Sequence, residues 1–420
     1  MAFTAVKGMH DLLPPESAAW AEAEALIRAA CARYGFHEIR TPILEKTPLF
    51  VRGVGETTAI VEKEMYTFTD QGEEQLTLRP EGTAAVVRAY IESGRAATDP
   101  LAKFFYFGPM FRRERPQKGR FRQFHQFGIE AFGSVHPYVD VEVMALLMRV
   151  LGAVGGARMQ LEINSLGCAA CRPAYLTVVQ RLLGNAAADL CPDCRRRMAK
   201  NPLRVFDCKN SACRELLEDI PTIADYRCAA CNAHFDEVRG GCDALHLPYQ
   251  VNPRIARGLD YYVRTAFEVI ADGLGAHNAV GGGGRYDGLV KALGGPDIPG
   301  VGVAVGMERL MLLADRQVRR PATPTVFLAA VDNLGRAHLL PLLEDLRAAG
   351  CAVEWDPDGR LLKSQMRRAD KLGARLVVIL GDDEVRAETA IVRDMQTKEQ
   401  HSIPLKELTE YLTRLTKIPH

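Results

Sequence analysis

Four consecutive glycines, Gly281–Gly284, close a segment, Ala276–Gly283, that otherwise has strand character, and run one residue past it. Glycine packs no side chain and loses the most backbone freedom on ordering. Four in a row therefore weaken a strand unless another group must approach its backbone closely. A flexible loop is the plain alternative. Gly300-Val301-Gly302-Val303-Ala304-Val305-Gly306-Met307-Glu308-Arg309-Leu310 follows, a glycine-led strand feeding a helix that runs to Asp315. Its spacing is G-x-G-x-x-x-G without a βαβ unit on both sides, which excludes a dinucleotide fingerprint, and no G-x-x-x-x-G-K-[ST] occurs. A glycine strand whose following helix delivers Arg309 suits clamping a terminal phosphate; a core strand with a solvated arginine beyond it is the alternative.

Three further stretches carry chemistry. Phe111–Phe124 holds five arginines within eleven positions (Arg112, Arg113, Arg115, Arg120 and Arg122) with Phe121 and Phe124 interleaved. Planar guanidinium forks fit phosphate oxygens, and the rings offer faces on which a base could stack. The segment lies between strands Phe104–Phe111 and Gln123–Phe132, so an antiparallel hairpin with an outward basic tip is expected; a solvated hairpin is the alternative. Leu78-Arg79-Pro80-Glu81-Gly82-Thr83 reads as strand end, turn and helix start, with a carboxylate and a hydroxyl near free amides. An ordinary helix cap would look the same. Ala256-Arg257-Gly258-Leu259-Asp260-Tyr261-Tyr262 puts a cation, an anion and two phenols into what reads as one strand, Ala256–Ala271. Phenols and a carboxylate can grip a polar ring, but neighbours on a strand face opposite ways, so at most one tyrosine should reach a given pocket.

Around these motifs the chain reads as mixed α and β. Trp20, Ala23, Ile27, Ala30 and Cys31 recur at helical spacing over Glu16–Gly35, and Phe36–Phe50 follows as a strand through Thr41-Pro42. Glu81–Ser93 and Tyr138–Val154 are expected helices, and Met159–Ile163 a strand. The expected organisation is a catalytic part over 1–167, an insertion over 168–247, a second catalytic part over 248–316, a linker over 317–323 and an α/β domain over 324–420. A length of 420 residues, with 47% hydrophobic and 25% charged, supports several cores. The net charge of +1 leaves nucleic-acid contact to local patches.

Eight of the eleven cysteines lie between Cys168 and Cys231 in four pairs, three of them C-x-x-C. No stretch resembles an export signal or a membrane span, so a cytoplasmic chain with reduced thiols or metal ligands is expected rather than disulfides. One or two structural zinc ions fit the count, with Cys191, Cys194, Cys208 and Cys213 as one candidate set.

Taken in order, these motifs resemble class II aminoacyl-tRNA synthetases, and among them the histidyl-tRNA synthetases. Gly35–Phe50 with Pro42 resembles the family's motif 1, Phe111–Phe132 motif 2 and Gly300–Leu310 motif 3; Ala256–Tyr262 and Ala279–Gly288 resemble the two histidine signatures. The resemblance covers essentially the whole chain. It implies an α+β fold: an antiparallel-sheet catalytic core with an inserted cysteine-rich domain, and a C-terminal α/β anticodon-binding domain. It also implies activation of L-histidine with ATP and Mg²⁺ to histidyl-adenylate, then transfer to tRNA(His), by a homodimer formed through motif 1.

Carried onto this sequence, the resemblance assigns roles. Arg112 would hold the α-phosphate and the substrate carboxylate, with Arg257 beside that phosphate. Arg309 would clamp the γ-phosphate, and Phe124 would stack on adenine. Glu81 and Thr83 would take the α-amino group, with Gln126 near the substrate backbone. Glu130, Tyr262 and Tyr261 would address the imidazole, and Tyr286 would shape the pocket floor. Arg115 and Gln117 would read the tRNA acceptor end. Two rivals are a catalytically silent, histidine-binding paralogue that regulates a biosynthetic enzyme, and a synthetase for another amino acid. The presence of Arg112, Arg257, Arg309 and the C-terminal domain argues against the first, and the Arg257–Tyr262 signature against the second.

Overall fold

Along strand Gln123–Phe132, Phe127, Ile129 and Ala131 are buried in the main apolar core, while Gln126, Gly128 and Glu130 occupy the alternate positions. Strand Gly300–Gly306 beside it does the same, with Val301, Val303 and Val305 in the core and Gly300, Gly302, Ala304 and Gly306 on the other face. Period-two alternation thus makes one sheet face oily and leaves the other mostly bare backbone. A cleft lies on that bare face.

The computed structural model describes residues 3–416 apart from 57, 100, 156–158, 209, 256–258, 273, 275–277 and 315–325. Contacts divide the chain into two units, Met1–Arg320 and Pro321–His420. The strands of the first unit are, in order, β1 (His37–Glu38), β2 (Leu44–Lys46), β3 (Tyr66–Thr69), β4 (Gln75–Leu78), β5 (Lys103–Phe111), β6 (Gln123–Phe132), β7 (Met159–Ser165), β8 (Tyr249–Val251), β9 (Val263–Ala271), β10 (Ala279–Arg285) and β11 (Gly300–Gly306). Eight form one sheet ordered β1-β5-β6-β11-β10-β9-β7-β8. Its six central strands are mutually antiparallel, with a parallel strand at each edge. Strands β2, β4 and β3 make a small separate sheet.

Helices Glu16–Arg33, Pro137–Gly155, Ala229–Ala244 and Met307–Leu313 contribute to the core on the oily face. The first buries the predicted stripe of Trp20, Ala23, Ile27, Ala30 and Cys31. Gly35, with φ of +74°, lies just beyond its end in a backbone region that glycine adopts without penalty. Helix Thr83–Glu92 contributes to a second core with Tyr90, Tyr106, Tyr262 and Tyr286. Between β7 and β8 the chain forms short helices around a core of their own, including Tyr175, Val179, Leu183, Leu217 and Ile223.

Two expectations are corrected. Phe36–Phe50 is not one strand: β1 and β2 are short, and Thr47–Val54 is a helix. Pro42 breaks the extended run, while Pro48 sits in the first helical turn, where its fixed φ and missing N–H cost nothing. Among the described residues of the predicted strand Ala256–Ala271 the extended run starts at Val263, and Leu259–Tyr262 form a turn leading into it; residues 256–258 lie outside the described residues. Residues 276 and 277, the linker 317–323 and Asp315 lie outside the described residues.

The second unit has strands β12 (Val326–Ala330), β13 (Val353–Trp355), β14 (Leu376–Leu380), β15 (Thr389–Asp394) and β16 (Gln400–Pro404), ordered β13-β12-β14-β15-β16. The first three are parallel and the last two antiparallel additions. Helices Asn333–Ala348, Leu362–Leu372 and Leu405–Thr416 match the alternating pattern read from the sequence. No described helix is long and apolar enough to cross a membrane.

Candidate active site

A cleft of about 430 Å³ opens on the glycine face of the sheet, a size in the range of small-ligand sites. Its lining brings together Arg112, Phe124, Gln126, Glu81, Thr83, Tyr261, Tyr262 and Arg309, residues spread over more than two hundred positions. Gly281, Gly282, Ala304 and Gly306 form the floor between them. The four-glycine run is therefore strand rather than flexible loop. A Cβ on Gly283 would meet the Gly302 carbonyl oxygen at 2.0 Å, so β10 and β11 approach more closely than side chains allow.

Phosphate-binding capacity gathers at one end. The Arg112 Nε donates to the Pro80 carbonyl at 2.8 Å, and its guanidinium lies 5.2 Å from the Phe124 ring centre. Arg309 donates to the carbonyls of Gly119 and Ala279, which tie it to the hairpin tip and to β10. Burial pushes the Arg309 guanidinium below its usual range. The like charge of Arg120 adds to that, against Glu114 and Glu268. A corner where two cations already repel welcomes a polyanion. Glu308, beside Arg309, accepts the His125 backbone N–H at 2.8 Å and contacts its Nδ1 at 3.0 Å, pinning this helix to β6.

The other end is a buried polar cluster. Glu130 is fully buried; its Oε1 accepts from the Thr83 hydroxyl at 2.7 Å and its Oε2 from the Tyr286 hydroxyl at 2.5 Å. Burial pushes the Glu130 carboxyl up to about 8, with the nearby Glu81 charge adding to the shift and the two hydroxyl donors opposing it. The Glu81 carboxylate accepts from the backbone N–H groups of Thr83 and Ala84 at 2.7 and 2.9 Å, capping the helix while facing the cleft. Burial raises the Glu81 carboxyl, although those amides and Arg112 pull it down. Gln126 Oε1 is buried without an internal hydrogen-bond partner, an acceptor left for a ligand.

Some expectations about single residues need revision. Because Leu259–Tyr262 is a turn, both Tyr261 and Tyr262 line the cleft, not one. Glu130 and Tyr286 sit behind the lining rather than on it. Phe121 packs edge-on against His10, 4.6 Å between ring centres, and lines a separate groove with Trp20 and Glu308. Arg115 and Gln117 are exposed at the hairpin tip, outside the cleft lining, where Gln117 bridges to Arg120. Arg257 lies outside the described residues. Cys191, Cys194, Cys208 and Cys213 come together away from the cleft, with all four sulfurs within 4.8 Å of one another.

Two buried residues were given no role from the sequence, although Arg79 stands within one of its motifs. Tyr106 lies under the polar cluster, its ring so close to the backbones of Gly82 and Gly128 that a Cβ on either would overlap it at 2.3 and 2.1 Å. Burial, with the charges of Glu130 and Glu81, holds its hydroxyl well above the usual phenol range. Arg79 donates to the carbonyls of Pro109 and Thr41, each at 2.9 Å, and so locks the motif 1 segment to β5. Only the presence of glycine at positions 82 and 128 hinted that a bulky ring passes there.

Similarity to known proteins agrees with this geometry. A family model described as histidyl-tRNA synthetase matches residues 8–171 and 199–310, and one described as an anticodon binding domain matches 330–415. The histidine–tRNA ligase of Anaeromyxobacter dehalogenans (strain 2CP-1 / ATCC BAA-258) is 50% identical over 97% of this chain and 99% of its own. That of Desulforamulus reducens is 48% identical over 99% and 100%. The apo histidyl-tRNA synthetase structure from S. aureus superposes with a TM-score of 0.82 at 34% identity, covering 98% of this chain and 100% of that one. The chain belongs to the histidyl-tRNA synthetase family.

Proposed function

We propose that the chain is a histidine–tRNA ligase. In the first step a histidine carboxylate oxygen attacks the α-phosphorus of ATP, the bond to the β-phosphate oxygen breaks, and pyrophosphate leaves. In the second, the 3′-terminal ribose hydroxyl of tRNA(His) attacks the acyl carbon, and AMP leaves as histidine is transferred. The observation carrying this reading is that Arg112 and Arg309 share one cleft with Glu81, Thr83, Gln126 and the paired tyrosines.

Two anions must meet in the first step, and charge builds on phosphoryl oxygens. Fixed guanidinium groups lower that barrier by position and field rather than by proton transfer. In this reading Arg112 holds the α-phosphate and the substrate carboxylate, with Arg257 beside them, while Arg309 holds the γ-phosphate and Phe124 stacks on adenine. Mg²⁺ arrives with the ATP phosphates and neutralises them. Glu81, Thr83 and Gln126 take the α-amino end, and Glu130 with Tyr261, Tyr262 and Tyr286 reads the imidazole. A site with so many buried polar groups rejects apolar side chains, which would leave those groups unpaired.

Arg115 and Gln117, exposed at the hairpin tip, are proposed to meet the acceptor end of tRNA, and the second unit its anticodon. A homodimer is supported by the small sheet, whose first strand lies in motif 1 and which leaves Leu44 and Phe68 exposed beside Ile43. The cytoplasm is the proposed location. ATP–pyrophosphate exchange with a panel of amino acids tests the main reading. Exchange with histidine alone is expected; exchange with none, or with a different amino acid, overturns it.

A further inference from the structure

The eight clustered cysteines form two sets, one nested inside the other along the chain. Cys168 and Cys171 meet Cys228 and Cys231, and within that loop Cys191 and Cys194 meet Cys208 and Cys213. In each set the four sulfurs lie within 4.8 Å of one another. Sulfur separations of 3.6 Å (Cys168–Cys171), 4.0 Å (Cys168–Cys228), 3.6 Å (Cys171–Cys231) and 3.9 Å (Cys191–Cys208) bracket the ~3.8 Å edge of a tetrahedron with metal–sulfur bonds of about 2.3 Å. That size admits one metal ion and is too tight for a multi-iron cluster. Backbone N–H groups of Cys228 and Cys191 donate to the sulfurs of Cys171 and Cys213 at 3.1 and 3.2 Å, the support thiolate ligands need. Between the outer cysteine pairs the chain has only a small core of its own, the setting in which a staple supplies what burial cannot.

Each set also lies next to a polar tie to the Leu259–Tyr262 turn. Arg172 follows Cys171 directly; it donates to the Tyr262 carbonyl and, at 3.2 Å, to the Leu166 carbonyl. Asn201 and Arg204 lie between Cys194 and Cys208. Asn201 Nδ2 donates to Asp260 Oδ1 at 3.0 Å, and Arg204 Nη2 to the same oxygen at 3.1 Å. That turn presents Tyr261 and Tyr262 to the cleft.

We propose that residues 168–231 form a two-zinc module that clamps the Leu259–Tyr262 turn, so that the metals position the histidine pocket from outside it. Four thiolates per site favour zinc among the common cellular divalent ions. The effect on histidine rests on the ligase reading above, whereas the metal content does not.

The full-length chain, produced with zinc in the medium and desalted, is expected to hold two zinc ions. X-ray absorption should report four sulfurs at about 2.3 Å around each. Fewer than about one and a half equivalents, bound iron, or nitrogen and oxygen ligands overturn the assignment. Arg204→Ala keeps every thiol and should keep both ions. It should nonetheless speed hydrogen exchange across residues 259–265 and weaken calorimetric L-histidine affinity about tenfold, the size expected for losing charge-assisted hydrogen bonds, with ATP affinity unchanged. Unchanged exchange and histidine affinity overturn the clamp. A wild-type chain with two zinc ions and a protected turn but no histidine binding would remove the ligase reading and leave the metal assignment standing.

Discussion

Gly302 sits directly across from Glu130 in the β11–β6 register, and a Cβ placed on it would lie 1.8 Å from the Glu130 Oε2. The absence of a side chain at Gly302 is what lets a carboxylate occupy the middle of the sheet face. Replacing it with alanine must move Glu130, and with it the Thr83 and Tyr286 hydroxyls bonded to that carboxylate. Gly302→Ala is expected to lose about 100-fold or more in kcat/KM for histidine, as misplacement of a binding group by about 1 Å does. Pyrophosphate exchange measures it, and a thermal melt checks that the chain still folds, since overpacking costs about 1–3 kcal/mol.

The raised Glu130 carboxyl makes histidine use depend on pH. Below about 8 the group is protonated, and only the ionised form offers a full acceptor to an imidazole N–H. Thus kcat/KM for histidine should climb between about pH 7 and about pH 9, above the range where free histidine's own ring titrates. Glu130→Gln should flatten this limb while lowering the plateau. A pH profile identical in both forms would contradict the assignment.

Stability of the unliganded chain carries the same signature with a definite sign. The folded state holds the Glu130 proton to about 8, against an ordinary value of 4.5. Between these values the folded chain binds more protons than the unfolded one, so this group's contribution falls as pH rises. Glu130→Gln removes that slope, and its melting temperature relative to wild type should increase from about pH 5 to about pH 8. Paired thermal melts across that window check it.

Asp140 and Arg285 form an ion pair with both side chains fully buried, Arg285 Nη2 lying 2.5 Å from Asp140 Oδ1. His234 Nε2 and the Thr265 hydroxyl complete the ring around Asp140 Oδ2, at 2.9 and 2.6 Å. Burial raises the Asp140 carboxyl, but the His234 hydrogen bond, then the Arg285 charge and hydrogen bond, outweigh it and hold it below 3.8. Its stabilisation is therefore present above the unfolded value and lost only as pH falls through the lower folded one. Asp140→Asn removes the fully buried partner of Arg285 and leaves it only the half-buried Asp287 carboxylate at 3.1 Å, so the expected loss in urea unfolding is about 3 kcal/mol, the lower end for breaking a buried pair. Arg285 precedes Tyr286, so histidine affinity should fall with it.

Arg309→Ala removes a charge held at the cleft by the Gly119 and Ala279 carbonyls. Its expected cost is about 10²–10³-fold in exchange rate, the range for deleting one preorganised donor to developing charge. Arg112→Ala should behave alike, and the double variant should lose less than the product of the two, because both act on one nucleotide. Strictly multiplicative losses would mean that the two guanidinium groups serve different ligands.

Much of the cleft could be read from composition and spacing. Phe124 follows from an aromatic set among arginines on a strand pair and Arg309 from a glycine strand running into a helix, whereas Gln126 and Glu130 came only with the family resemblance. Tyr106 could not be read this way, because nothing local distinguishes it from any core tyrosine; its role comes from Gly82 and Gly128 passing over its ring. The Leu259–Tyr262 turn was equally hidden. Its shape is held by Arg172, Asn201 and Arg204 from a distant segment, and that override of strand propensity lets both tyrosines face the cleft.

Residue order alone determined most of the central strands, though not the Phe36–Phe50 and Leu259–Tyr262 stretches, together with the helices of clean periodicity, the five motifs and the eight paired thiols. These depend on side-chain period and turn chemistry within a few neighbours. The tertiary structure alone decided which cysteine pairs share a site, that Thr47–Val54 coils rather than extends, and what surrounds Glu130. That carboxyl takes its two hydroxyl partners from positions 47 and 156 residues away. A proton affinity set by burial and by such distant donors exists only once the sheet has closed over it.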